Sequence, residues 1–248
     1  MKNKEQTFTH KKKGIGSKLV TFFLSKIIVG KMEFIYHGEK PEEPSVFVGN
    51  HTKFYAPLAV QYKYPEAVRT WSAALLLERK TCYELFKNKI IKNIKGEWFF
   101  RLILPIMAPI ISWYYRKQLN CIPVHRDRNI TKTFEISTQT LQNGVHIALY
   151  PEIREEKLND VVNKFATGFV YMGHEYYNIT KKKLKFYPVY CAPSLHQTHF
   201  GIPIEYNPDK GVKEQSKMVG EYLESAITEM AKSLPAHKIV HMLKDFNE

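Results

Sequence analysis

The chain has 248 residues, 44% of them hydrophobic and 13% aromatic, and carries a formal net charge of +13. Such a length and apolar share support a full core, as one large domain or two, and exclude an intrinsically disordered chain. Cys82, Cys121 and Cys191 are odd in number and widely spaced, which suggests neither a disulfide framework nor a four-ligand zinc site, so reduced thiols are expected.

The charge is concentrated at the start. Residues 1–31 hold eight lysines (2, 4, 11, 12, 13, 18, 26 and 31) against Glu5. Ile15, Leu19, Val20, Phe22, Phe23, Leu24, Ile27, Ile28 and Val29, interrupted by Lys18 and Lys26, predict a basic amphipathic helix suited to a membrane interface. A solvated tail followed by a helix packed on the core is the alternative. The early lysines are not followed by an uninterrupted apolar segment with a small-residue cleavage site, so no secretory signal is expected. Residues 32–248 form the second unit, an α/β domain with a mostly parallel central sheet flanked by helices.

Within that domain, Phe34–His37 and Ser45–Gly49 read as strands separated by a Pro-rich turn, and Pro57–Tyr64 as a short helix. Residues 66–120 are mostly helical in pattern, with a possible strand near Thr70–Ala73. Inside them Leu102–Tyr115 is an apolar run of 14 residues, short of the roughly 20 needed to span a bilayer, with Pro105 and Pro109 expected to kink it. Two readings stay open for it: a buried core helix, or a segment dipping into one leaflet with Trp98, Trp113, Tyr114 and Tyr115 in the aromatic belt. Further on, Cys121–Val124 is extended, Thr131–Gln142 a helix closed by Asn143-Gly144, Val145–Leu149 a buried strand, Val161–Tyr177 a helix and Leu184–Tyr190 a strand. From Val212 to Leu234 apolar residues recur at helical spacing, a core-packing stripe.

Three strand ends present chemistry: His51 after Val46–Asn50, Arg126 after Cys121–Val124, and Glu152 with Arg154 after Val145–Leu149. A histidine delivered by a buried strand into the cleft at the carboxyl edge of an α/β sheet is placed to act as a general base. Arg126 among His125, Asp127 and Arg128, and Glu152 beside Arg154, Glu155, Glu156 and Lys157, also read as solvated charge clusters, which contribute little to stability. His196 and His199 lack acidic or cysteine neighbours and read as structural residues rather than metal ligands.

Taken together, Asn50-His51, Ile122-Pro123-Val124-His125-Arg126, Tyr150-Pro151-Glu152 and Phe186-Tyr187-Pro188-Val189-Tyr190 resemble, in order, the four sequence blocks of the glycerolipid (lysophospholipid) acyltransferase family. Lys164, Phe165 and Gly168 resemble its Phe-Lys-x-Gly segment with the order altered. The resemblance spans most of residues 45–205. It implies transfer of an acyl group from acyl-CoA or acyl carrier protein to the hydroxyl of a lysophospholipid or glycerol phosphate at the cytoplasmic membrane face, with no metal and no bound cofactor. It further implies His51 as general base and a substrate-binding set of Asn50, Arg126, Glu152 and Arg154, with Arg126 on the acceptor phosphate. A neutral imidazole can take the hydroxyl proton during attack on a thioester, and a guanidinium fork matches a phosphate.

Two residues depart from the family pattern. Ala56 stands where the family has the Asp that orients the histidine, and Ile153 replaces the glycine after Glu152. Loss of the orienting carboxylate costs a serine-type triad about four powers of ten in rate, so a weak or altered enzyme is expected unless Tyr55 or Glu152 substitutes. An impaired relative that binds lipid without turnover is the competing reading. A nucleic-acid binder rests on charge alone and is not expected, because no groove-reading or RNA-binding motif is present.

Overall fold

The computed structural model describes residues 15–92 and 96–241. Lysines 2, 4, 11, 12 and 13 of the predicted basic arm lie outside the described residues.

Strands and helices alternate through most of the chain. In order they are α1 (Ile15–Phe22), continued by a π-wound stretch (Phe23–Val29), then β1 (Glu33–Tyr36), β2 (Val46–Gly49), α2 (Tyr55–Lys63) and β3 (Val68–Ala73). A helical excursion follows, α3 (Ala74–Leu77), α4 (Arg79–Leu85) and α5 (Glu97–Trp113), which leads to β4 (Ile122–Val124). The remainder is α6 (Ile130–Gln142), β5 (His146–Leu149), β6 (Glu152–Lys157), β7 (Asn163–Phe165), α7 (Tyr171–Thr180), β8 (Lys185–Ala192), β9 (Gln197–Phe200), β10 (Ile204–Glu205) and α8 (Val212–Ser233).

The main sheet runs β1-β9-β8-β2-β5-β3-β4, with β10 on β8. Its pairs are parallel except β8 with β9 and with β10. Strands β2 and β5 sit at its centre, and apart from His146 their residues are apolar or glycine on both faces, as a strand covered by helices on each side requires. Alternation sorts those residues: Val46, Val48, Ile147 and Leu149 join a core with α6, α7 and α8, whereas Phe47 and Ala148 pack with Val60 of α2 and with Tyr64. The α/β architecture with a mostly parallel, helix-flanked sheet is thus as the sequence predicts.

One sheet edge is closed by a single hydroxyl. At β4, Pro123 has no N–H, its carbonyl accepts from the Thr133 hydroxyl at 2.8 Å, and that hydroxyl's Oγ1 in turn accepts the His125 N–H at 3.1 Å. Thr133 is fully buried beneath the edge.

Two expectations change. The predicted helix over Val161–Tyr177 starts late, as a 3-10 turn over Thr167–Val170 that becomes α-helix at Tyr171, because the β7 residues are drawn into extended backbone: Glu152 Oε2 accepts the Asn163 N–H at 2.8 Å and Glu224 Oε1 the Phe165 N–H at 2.5 Å, while β7 pairs with β6. The run at 102–115 belongs to a longer helix. Helical backbone continues from Glu97 through Pro105 and Pro109 to Gln118, 22 residues long and apolar enough to cross a membrane by length and composition. Length therefore no longer argues against crossing. Nor is this a buried core helix: Leu104, Ala108 and Ser112 face inward, whereas Trp98, Leu102, Ile106, Ile110 and Trp113 form an exposed stripe.

The helix over 15–29 lies beside α2 and the end of that long helix. Gln118 Nε2 bonds Thr21 Oγ1, and the Tyr55 hydroxyl donates to the Val29 carbonyl at 2.8 Å. Leu19, Phe22, Phe23, Ile27 and Ile28 are exposed.

Candidate active site

The central parallel strands end on one edge of the sheet, and there the chain turns sharply after β2. Asn50 extends the pairing beyond the last strand residue with its side chain: Nδ2 donates to the Cys191 carbonyl at 3.0 Å and Oδ1 accepts the Cys191 N–H at 2.8 Å. His51 follows. Its backbone N–H donates to Glu152 Oε1 at 2.7 Å, and the other oxygen of that carboxylate takes the Asn163 N–H. Glu152 is 8% exposed, and burial raises its carboxyl above the usual range while the two backbone donors oppose the shift.

Thr52 and Lys53 then adopt left-handed backbone, φ 40° and 58°. A β-branched residue at positive φ costs on the order of 1–3 kcal/mol and persists where surrounding bonds hold it. Here the Thr52 hydroxyl accepts the Ala56 N–H at 2.8 Å and its carbonyl accepts the Tyr55 N–H at 3.1 Å, which starts α2.

The His51 imidazole is half-buried and packs edge-to-face on Tyr150, centroids 5.7 Å apart with an interplanar angle of 70°. Burial lowers its pKa from 6.5 to about 4, and backbone groups of Lys53 and His51 counter this only in part. The ring is therefore neutral at pH 7 and able to accept a proton. The same shift makes the imidazolium about 3 kcal/mol harder to form than in water. Its Nδ1 and the Tyr150 hydroxyl are both sealed from solvent, and neither has a hydrogen-bond partner among the described residues.

Other groups at this edge are otherwise engaged. Burial pushes the Cys191 thiol up to about 12, with the Thr198 and Thr52 hydroxyls opposing, so it stays protonated and un-nucleophilic at neutral pH. Tyr55, a candidate partner for the histidine, spends its hydroxyl on Val29. Glu152, the other candidate, meets the His51 backbone and not its ring. Ala56 is buried and offers no acceptor. Among the described residues no three His, Cys, Asp or Glu side chains converge to hold a metal ion. His199 is buried in β9, with its Nδ1 3.0 Å from His37 Nε2.

The sequence-derived set is thus brought together unevenly. His51, Asn50 and Glu152 meet where β2, β5 and β8 lie side by side, but the polar atoms of Asn50 and Glu152 face backbone groups. Arg126 emerges on the same edge beyond β4, three strands from β2, which the strand spacing puts roughly 14 Å away across the sheet. It and Arg154, on β6, are exposed and make no ion pair among the described residues. Sequence reasoning missed Tyr150 and Thr52. Tyr150 was visible as the first residue of the third block, but nothing in the sequence distinguishes a buried phenol from a packing ring.

No family model matches the chain, and no curated protein matches it. Among solved structures it is similar to the 1-acyl-sn-glycerophosphate (LPA) acyltransferase PlsC from Thermotoga maritima, at 15% identity over 89% of this chain and 81% of that one, with a TM-score of 0.47. That degree of likeness assigns no role to any residue here.

Proposed function

We propose that the chain is an acyltransferase of membrane lipids, moving an acyl group from acyl-CoA or acyl carrier protein to the hydroxyl of a lysophospholipid or glycerol phosphate. The observation that carries this reading is the neutral His51 imidazole on a strained turn at the carboxyl edge of a parallel sheet, its backbone held by Glu152. Support comes from the order of the four sequence blocks and from Arg126 on the same edge, free to take a phosphate. His51 removes the acceptor hydroxyl proton as the oxygen attacks the thioester carbonyl; the thiolate then leaves and takes up a proton. Arg126 holds the acceptor phosphate, and Glu152 with Arg154 shapes the acceptor pocket.

The lipid surface enters through the exposed apolar residues of α5 and of 15–29. Lys18, Lys26 and Lys31 are exposed in or just after the latter segment, and each lysine near an anionic leaflet adds about 1 kcal/mol to attachment. We place the chain on the cytoplasmic membrane face on this ground, with the described part of the arm as attachment.

A second reading, lipid binding without turnover, is favoured by one observation: His51 Nδ1 faces no carboxylate. Purified protein with labelled acyl donor and a panel of lysolipids decides between them. Donor-dependent acylation that disappears in a folded His51→Ala variant is the expected result; unchanged turnover in that variant rejects the base assignment, and no turnover by the wild type across the panel favours the second reading.

A further inference from the structure

Every catalytic histidine that works from one ring nitrogen needs something to hold the other, and the usual carboxylate is missing here. Three candidates are eliminated on geometry. Ala56 has no acceptor, Tyr55 bonds Val29, and both Glu152 oxygens accept backbone N–H groups. Besides the backbone of Lys53 and of His51 itself, the side chain that remains against the imidazole is the Tyr150 ring.

Two further facts concern that ring. Its hydroxyl and His51 Nδ1 are buried polar atoms without partners, on rings in contact; an isolated buried donor or acceptor forfeits its hydration with no return, and a phenylalanine would fill the same space without that cost. The backbone also makes room for it. A Cβ on Gly49 would come within 3.3 Å of Tyr150 Cε1 and 2.9 Å of the Val189 carbonyl, so the bare Cα is what lets the ring lie across the end of β2.

We propose that Tyr150 is the positioning residue of the site, its phenol oxygen accepting the Nδ1–H of His51, directly after a small ring rotation or through one water. This rests on His51 being the general base. The interaction fixes the tautomer that leaves Nε2 free to take a proton and gives the developing imidazolium an acceptor at a nitrogen that is sealed from solvent. Hydrogen bonds of this kind are commonly long in the substrate-free state and tighten when substrate binds. The phenol stays neutral throughout, because burial, with Cys191 adding to it, raises its pKa well above the ordinary value.

The test is Tyr150→Phe in the full chain, with 15N-labelled histidine and the His51 resonances assigned by comparison with His51→Gln. Expected in the wild type is a neutral imidazole protonated mainly at Nδ1; in Tyr150→Phe the proton moves towards Nε2, and acyl transfer falls at least tenfold in kcat with KM little changed. Unaltered His51 tautomer and nitrogen shifts in a folded Tyr150→Phe overturn the proposal. If the wild type transfers no acyl group but the tautomer still depends on Tyr150, the positioning role stands and the acyltransferase reading fails. Should Tyr150→Phe not fold, wild-type chain made with 3-fluorotyrosine keeps the hydroxyl but alters its hydrogen bonding; unmoved His51 nitrogen shifts in that protein overturn the proposal equally.

Discussion

Glu152 shows how one side chain can serve two backbone segments at once. Its two oxygens hold the turn that carries His51 and the start of β7 respectively, so losing the carboxylate opens both. Glu152→Gln keeps the shape but turns an N–H₂ towards one of two N–H donors. We expect it to destabilise the fold by about 1–3 kcal/mol, the cost of one unsatisfied buried donor, and to lower acyl transfer with the His51 turn. Chemical denaturation and kinetics on the same preparation check this. A variant as stable as wild type would mean that the carboxylate is not a clamp.

At the level of elements, α5 offers the clearest contrast between its two faces. Ile106 and Ile110 are 69% and 58% exposed, so glutamates there disturb no core contact. Ile106→Glu with Ile110→Glu is expected to leave unfolding stability within about 0.5 kcal/mol per site while weakening flotation with anionic vesicles several-fold. Unchanged flotation would move attachment to another surface. The central strands and the C-terminal helix were legible in the sequence because each has an apolar period that matches its geometry, as in Val46–Val48 and in Val219, Leu223 and Ile227. β6 was not, since Glu152–Lys157 is charged at nearly every position and is held by β7 in a two-stranded sheet apart from the main one. β7 was masked for the opposite reason: Val161, Val162 and Phe165 suit a helix, and what prevents one is a pair of carboxylates, from Glu152 and Glu224, that only the fold brings near. The same limit applies to the site. His51 and Arg126 could be placed at strand ends by pattern, whereas the engagement of Asn50 with Cys191 and the contact of Tyr150 with His51 depend on which strands are neighbours.

For the molecule as a whole, three buried or half-buried histidines set the response to acid. Burial lowers the pKa of His51 to about 4, that of His199 to about 4 with His37 adding to the effect, and that of His146 despite its contact with Glu66. The unfolded chain then binds more protons than the folded one below about pH 6.5, so the stability these groups contribute is present above that value and is lost as pH falls towards 4. Each histidine steepens the loss by up to about 1.4 kcal/mol per pH unit. Glu152 and Glu224, whose carboxyls are raised by burial, act in the opposite sense above the ordinary carboxylate value. Thermal melts at pH 7.5, 6.5, 5.5 and 4.5 are expected to show most of the decline between 6.5 and 5; a flat profile there would contradict the burial of these imidazoles. A different liability, common to all open sheets, is that an outer strand with unpaired backbone groups recruits strands from other molecules. Thr133 and Pro123 remove that possibility along β4, where the outward carbonyl and N–H are already satisfied by one hydroxyl and the intervening donor does not exist. A closed edge of this kind takes one side of the sheet out of such recruitment.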